Sequence, residues 1–75
     1  MGSYILYKST EKYVAHLNDI PTEVKKFLEY NKGNYVDDED TLKDYFEDNI
    51  KDFKIVDKWF KDNDLYGYDL RIRYD

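Results

Sequence analysis

Two periods run through the apolar and polar positions of this chain, and the elements follow from where each applies. YILYK (Tyr4 to Lys8) is a β-branched and aromatic run that reads as a strand. STEKYVAHLNDI is less decided: Ser9 or Thr10 suits the N-cap of a short helix, yet Tyr13, Ala15 and Leu17 alternate as a second strand would. The alternation favours a hairpin, with helix the alternative for residues 12–17. In DIPTEVKKFLEYNKGN, Asp19 offers an N-cap, Pro21 suits the first turn, and Ile20, Val24, Phe27 and Leu28 share a face; Gly33 supplies the stop.

The helical period is strongest in YVDDEDTLKDYFEDNIKDF, residues 35–53, where Leu42, Tyr45, Phe46, Ile50 and Phe53 recur at steps of three and four. At about 100° per residue, Asp40, Asp44, Glu47 and Asp48 fall on the opposite side. A period of two returns at the end of the chain. In LYGYDLRIRYD, Tyr66, Tyr68, Leu70, Ile72 and Tyr74 take one side and Asp69, Arg71 and Arg73 the other. FKIVDKWF is predicted as its partner strand, with KDND as the turn between them. The expected fold is α+β: a small, mostly antiparallel sheet covered on one face by two helices, in a single domain over residues 1–75. No repeat, low-complexity tract or Pro/Gly-rich linker divides it.

Composition narrows the chemistry. The chain has 75 residues and no cysteine, so no disulfide, thiolate metal site or cysteine nucleophile is available. No apolar run approaches the roughly 20 residues of a membrane span, and no secretory signal pattern is present, so the expected setting is the cytoplasm. A net charge of -5 argues against direct nucleic-acid or anionic-membrane binding, since both call for a basic footprint. The acidity is regional: residues 37–64 carry eleven acids and five lysines, while residues 1–36 carry four acids and five lysines.

Eight of those acids, Asp37, Asp38, Glu39, Asp40, Asp44, Glu47, Asp48 and Asp52, crowd the stretch 35–53, which holds two lysines. On one continuous helix Asp40, Asp44, Asp48 and Asp52 would rise by about 6 Å per step. Three such like-charge pairs cost on the order of 1 kcal/mol, with Asp48 and Asp52 at the unfavourable negative end. A ladder of Lys43, Glu47 and Lys51 would soften the field. One account is a solvated face in an acidic protein. The other is a row of carboxylates presented to a basic surface, imitating the phosphates of a nucleic-acid strand.

Small, acidic, cysteine-free, aromatic-rich chains with charged helices resemble the DNA-mimic inhibitor proteins of bacteriophages and mobile elements. The likeness is one of type and composition. It is carried by the eight acids above, continued by Asp57, Asp62 and Asp64. It implies a partner, the basic DNA-binding surface of a host histone-like protein, restriction enzyme or CRISPR nuclease, whose DNA binding would be inhibited. For a phage-encoded chain the setting would be the host cytoplasm.

Nine tyrosines, four phenylalanines and one tryptophan are the second anomaly. Such rings suit strands and can build a small core, but they are also interface residues. Trp59, Tyr66 and Tyr68 are the preferred members of an exposed cluster, which with an open sheet edge would support a general interaction module or a homodimer. DNDLYGYDLRIR imitates a calcium loop at Asp62, Asp64 and Gly67 but puts Arg73 where a bidentate Glu is needed. His16 is the single histidine, and no nucleophile, phosphate loop or triad context surrounds it. The expectation is a non-enzyme with no cofactor and no metal.

Overall fold

The computed structural model describes residues 2–74, so Met1 and Asp75, the ends of the expected domain, lie outside the described residues. Strand β1 (Ser3–Lys8) pairs antiparallel with β2 (Glu11–His16), from Ser3 opposite His16 to Lys8 opposite Glu11. The hairpin alternative for residues 12–17 therefore holds for all but Leu17. Ser9 takes the left-handed backbone, φ 50°, at the tight turn between the two strands.

Helix α1 (Thr22–Tyr30) buries Val24, Phe27 and Leu28, as its periodicity predicts. Its N-cap is Pro21 and not Asp19, which sits in a short 3₁₀ turn at Leu17–Asp19. The proline is the reason. A residue before proline is driven to extended backbone, and Ile20 is extended at φ -105°, ψ 121°, which holds Asp19 away from the first helical turn. Gly33, at φ 89°, ends the segment and donates its N–H to the Leu70 carbonyl at 2.7 Å; the Leu70 N–H returns a bond to Asn34 at 2.7 Å.

Strand β3 (Tyr35–Val36) leads into α2 (Glu39–Tyr45), and α3 (Ile50–Asp62) follows. Two sequence expectations are overturned here. The helix expected through residues 40–53 is two helices, because Asn49 leaves the helical backbone (φ -136°, ψ 78°) and caps α3, its side-chain oxygen accepting from the Asp52 N–H at 3.4 Å. The strand expected at residues 53–60 is the body of α3. Its β-branched Ile55 and Val56 suggest a strand, but Val56 and Phe60, one helical turn apart, are the residues it buries.

Strand β4 (Tyr68–Asp69) closes a four-stranded antiparallel sheet in the order β2-β1-β4-β3. The expected alternation persists beyond it: Leu70 and Ile72 are buried, Arg71 and Arg73 exposed. Tyr74, expected with the inward set, is exposed. The ladder stops early because the Arg71 N–H turns back to the Asp69 carbonyl at 2.8 Å. The fold is thus α+β, with three helices rather than two contributing to the core.

That core joins Tyr4, Leu6 and Ala15 of the hairpin to Val24, Phe27, Leu42, Val56 and Phe60 of the helices. Phe27 lies at its aromatic centre, stacked on Phe46 at 5.6 Å and edge-on to Phe60 at 5.8 Å. Among the described residues, no helix is long and apolar enough to cross a membrane.

Candidate partner-binding surface

The eight acids of residues 37–52 fall into two groups at opposite ends of α2. At its start, Asp38 is the N-cap, accepting from the N–H groups of Asp40 (3.0 Å) and Thr41 (3.3 Å), with Asp37 beside it. Glu39 and Asp40 fill the first turn, where the positive end of the helix favours them. At its other end the chain turns through Phe46–Asn49 into α3. Asp44, Glu47, Asp48 and Asp52 line a concave surface of about 410 Å³ there, together with Tyr45 and Phe46.

The row of aspartates expected on one rod does not exist. Asp40 and Asp44 are on α2, Asp48 is in the turn, and Asp52 is in the first turn of α3, so its helix-end environment is favourable and not the reverse. The ladder through Lys43, Glu47 and Lys51 is broken by the same turn. Lys43 pairs instead with Glu39 at 3.5 Å.

Charge compensation is uneven. Glu39 also meets Lys61 of α3 at 3.7 Å. Among the described residues, none of Asp37, Asp38, Asp40, Asp44, Glu47, Asp48 or Asp52 makes an ion pair. Asp52 is held by the Asn49 side-chain amide at 2.6 Å, a neutral partner that leaves its charge in place. All seven but Asp52 are exposed.

The three aromatic candidates sit elsewhere and are not an exposed cluster. Tyr68 is 7% exposed, with the Lys8 ammonium 5.7 Å from its ring centre. Trp59 is half-buried edge-on to Tyr13 at 6.0 Å. Tyr66 packs on Phe60 at 5.3 Å and donates its hydroxyl hydrogen bond to Asp57. Burial, then the Asp57 carboxylate, pushes the Tyr66 phenol well above the usual tyrosine range. Strand alternation and turn chemistry do not reveal that these rings complete the core.

Two of the exposed rings that sequence reasoning missed lie on the helices and face each other. Tyr30 (78% exposed) ends α1 and meets Tyr45 of α2 at 5.3 Å. Between them opens a groove of about 590 Å³ bordered by Thr22, Lys25, Lys26 and Glu29. Ile50, assigned by periodicity to the buried stripe, is 66% exposed. With Phe46 and Phe53 it forms a second groove of about 410 Å³, edged by Lys43, Glu47 and Lys54. Tyr45 belongs to the first groove and to the acidic concavity; Phe46 and Glu47 belong to the acidic concavity and to the second groove. The three form one continuous surface around the α2–α3 corner. A helical wheel of α1 alone puts Tyr30 off the Val24, Phe27 and Leu28 stripe, which was the available signal.

His16 lies exposed at the end of β2, its Nδ1 3.4 Å from the Ser3 hydroxyl. Among the described residues, no three acids or histidines are placed to hold a metal ion. Asp62 and Asp64, the calcium-loop imitators, are at the end of α3 and in the turn after it, where Asp62 pairs with Lys58. No protein-family model matches the chain, and neither a curated protein nor a solved structure matches it significantly.

Proposed function

We propose that this protein binds a basic surface of another protein through its α2–α3 corner, and that the covered surface is one with which the partner binds DNA, so that binding inhibits the partner. The observation that carries this reading is that the four acids at that corner, Asp44, Glu47, Asp48 and Asp52, make no ion pair among the described residues, and neither do Asp37, Asp38 and Asp40 at the other end of α2. Crowded like charges raise the energy of the free protein, and lysines or arginines of a partner would relieve it. Carboxylates at the end of α2, in the turn and in the first turn of α3 border a concave surface instead of forming a straight rod. Such a shape suits protruding lysine or arginine side chains.

The test is binding to immobilised protein from bacterial lysate, eluted by stepped salt with and without duplex DNA. A DNA-binding protein recovered at modest salt and displaced by DNA is the expected result. Asp44→Lys combined with Asp48→Lys should abolish its recovery. Intact recovery by that variant would remove the acidic corner from the function.

A further inference from the structure

The groove between α1 and α2 abuts the acidic concavity, and the two have opposite chemistry. Tyr30 and Tyr45, tilted by 51° and 5.3 Å apart, make its apolar wall, and Lys25, Lys26 and Glu29 stand at its edge, the Glu29 carboxylate accepting a hydrogen bond from the Tyr4 hydroxyl. Neither lysine makes an ion pair among the described residues. Long lysine stems cover apolar surface while their ammonium groups stay at the rim, where they attract the face of an aromatic ring and repel a cation. Across Tyr45, the next side chains are Asp44, Glu47, Asp48 and Asp52, which attract cations.

We infer that the α1–α2 groove is an anchor site for an aromatic side chain of the same protein partner, set a few residues from the basic groups that meet the acidic corner. This rests on the reading of the corner as the binding surface and adds a direction to it. The edge, two lysines against Glu29, is net positive and disfavours a basic residue while the acidic corner prefers one, so a segment with an aromatic residue at one end and a basic run at the other fits better in one orientation. A bare phosphate imitation would need no such groove. The anchor supplies the salt-independent part of binding, because an apolar contact is not screened.

Two synthetic peptides of about ten residues probe this: a lysine and arginine run preceded by Trp, and the same run with Ala in its place. Amide NMR shifts locate each on the isotope-labelled protein. The Ala peptide should perturb residues 44–52 alone. The Trp peptide should perturb residues 22–30 as well and bind about tenfold tighter, a difference that persists at high salt. Tyr30→Ser, at an exposed position, should remove that tenfold gain and leave the Ala peptide unaffected. Perturbation confined to residues 44–52 by both peptides, with equal affinity, would overturn the anchor site and leave the acidic corner standing. Perturbation of residues 22–30 alone would overturn the acidic corner, and no perturbation by either would overturn both.

Discussion

The Tyr66 hydroxyl donates a hydrogen bond to one oxygen of the Asp57 carboxylate, and the other oxygen meets Lys61 at 3.1 Å. Lys61 in turn reaches Glu39, so the segment leading into β4, helix α3 and the first turn of α2 are tied through one network. Tyr66→Phe keeps the ring against Phe60 and removes the donor. A hydrogen bond to a charged acceptor contributes about 1.5–3 kcal/mol, and partial exposure here places the expected loss near the lower end. Urea unfolding measures it. A loss no greater than that of an exposed Tyr35→Phe control would show that the network contributes nothing to stability.

Alkaline pH should destabilise the fold through its tyrosines. Burial foremost, then the hydrogen bond to Glu29, pushes the Tyr4 phenol up to about 12. Tyr13, Tyr66 and Tyr68 are raised as well, burial being the largest cause in each. A tyrosine whose folded pKa exceeds its unfolded one binds its proton more tightly when folded. Its contribution is complete below pH about 10 and is lost as the pH climbs towards the folded value. Tyr4 alone accounts for about 2 kcal/mol of decline between pH about 10 and 12. Tyr4→Phe should flatten the pH dependence of the unfolding midpoint over that window; an unchanged slope would remove Tyr4 from the account.

The same residues show where sequence stops being informative. Helix α1 was legible because its period has no competitor, and Val24, Phe27 and Leu28 are all buried; the hairpin had a helical competitor over residues 12–17, against which the alternation of Tyr13 and Ala15, both turned to the core, was the deciding signal. The α2–α3 boundary was not, because a four-residue turn carries the apolar phase from Phe46 to Ile50 as a helix would. Ile50, counted as buried, is the position where the false phase shows. Ile55, Val56, Trp59 and Phe60 have strand-like chemistry at helical spacing, and packing against α1 and the sheet decides for the helix. The acidic segment was legible as composition, but its arrangement as a corner depended on Asn49. Tyr66 and Tyr68 looked available only because nothing local in the sequence names Asp57 or Glu11 as the partner of each hydroxyl.

Asn49 is therefore the residue that sets the shape of the corner. Its side chain accepts from the Asp52 N–H and donates to the Asp52 carboxylate. Asn49→Ala removes both contacts and should cost about 1 kcal/mol, similar to Asp38→Ala at the start of α2. The two should differ in reach. Loss of Asn49 should raise amide exchange in residues 46–53, whereas loss of Asp38 should raise it in residues 39–42. Identical exchange in both variants and wild type would show that side-chain caps do not hold the corner.

If the uncompensated acids are kept for binding, the free protein is less stable than its fold allows. Asp44 and Asp48 line the same concavity with Glu47 and Asp52 and have no ion pair among the described residues. Replacing both by Asn should raise stability at low ionic strength by about 0.5 kcal/mol, the scale of a like-charge contact. The gain should vanish near 1 M salt, where screening acts over about 3 Å. Asp57→Asn is the contrasting case, because that carboxylate serves Tyr66 and Lys61, and it should destabilise at any salt. Urea midpoints of the three variants at low and high salt separate the outcomes. A gain from Asp44→Asn with Asp48→Asn that is matched by lost binding would mark the corner as a surface whose charge serves a partner at the expense of the free fold. A loss of stability would mean that the nearby Lys51 and Lys54 neutralise the corner in solution, and the electrostatic case for a basic partner would fall with it.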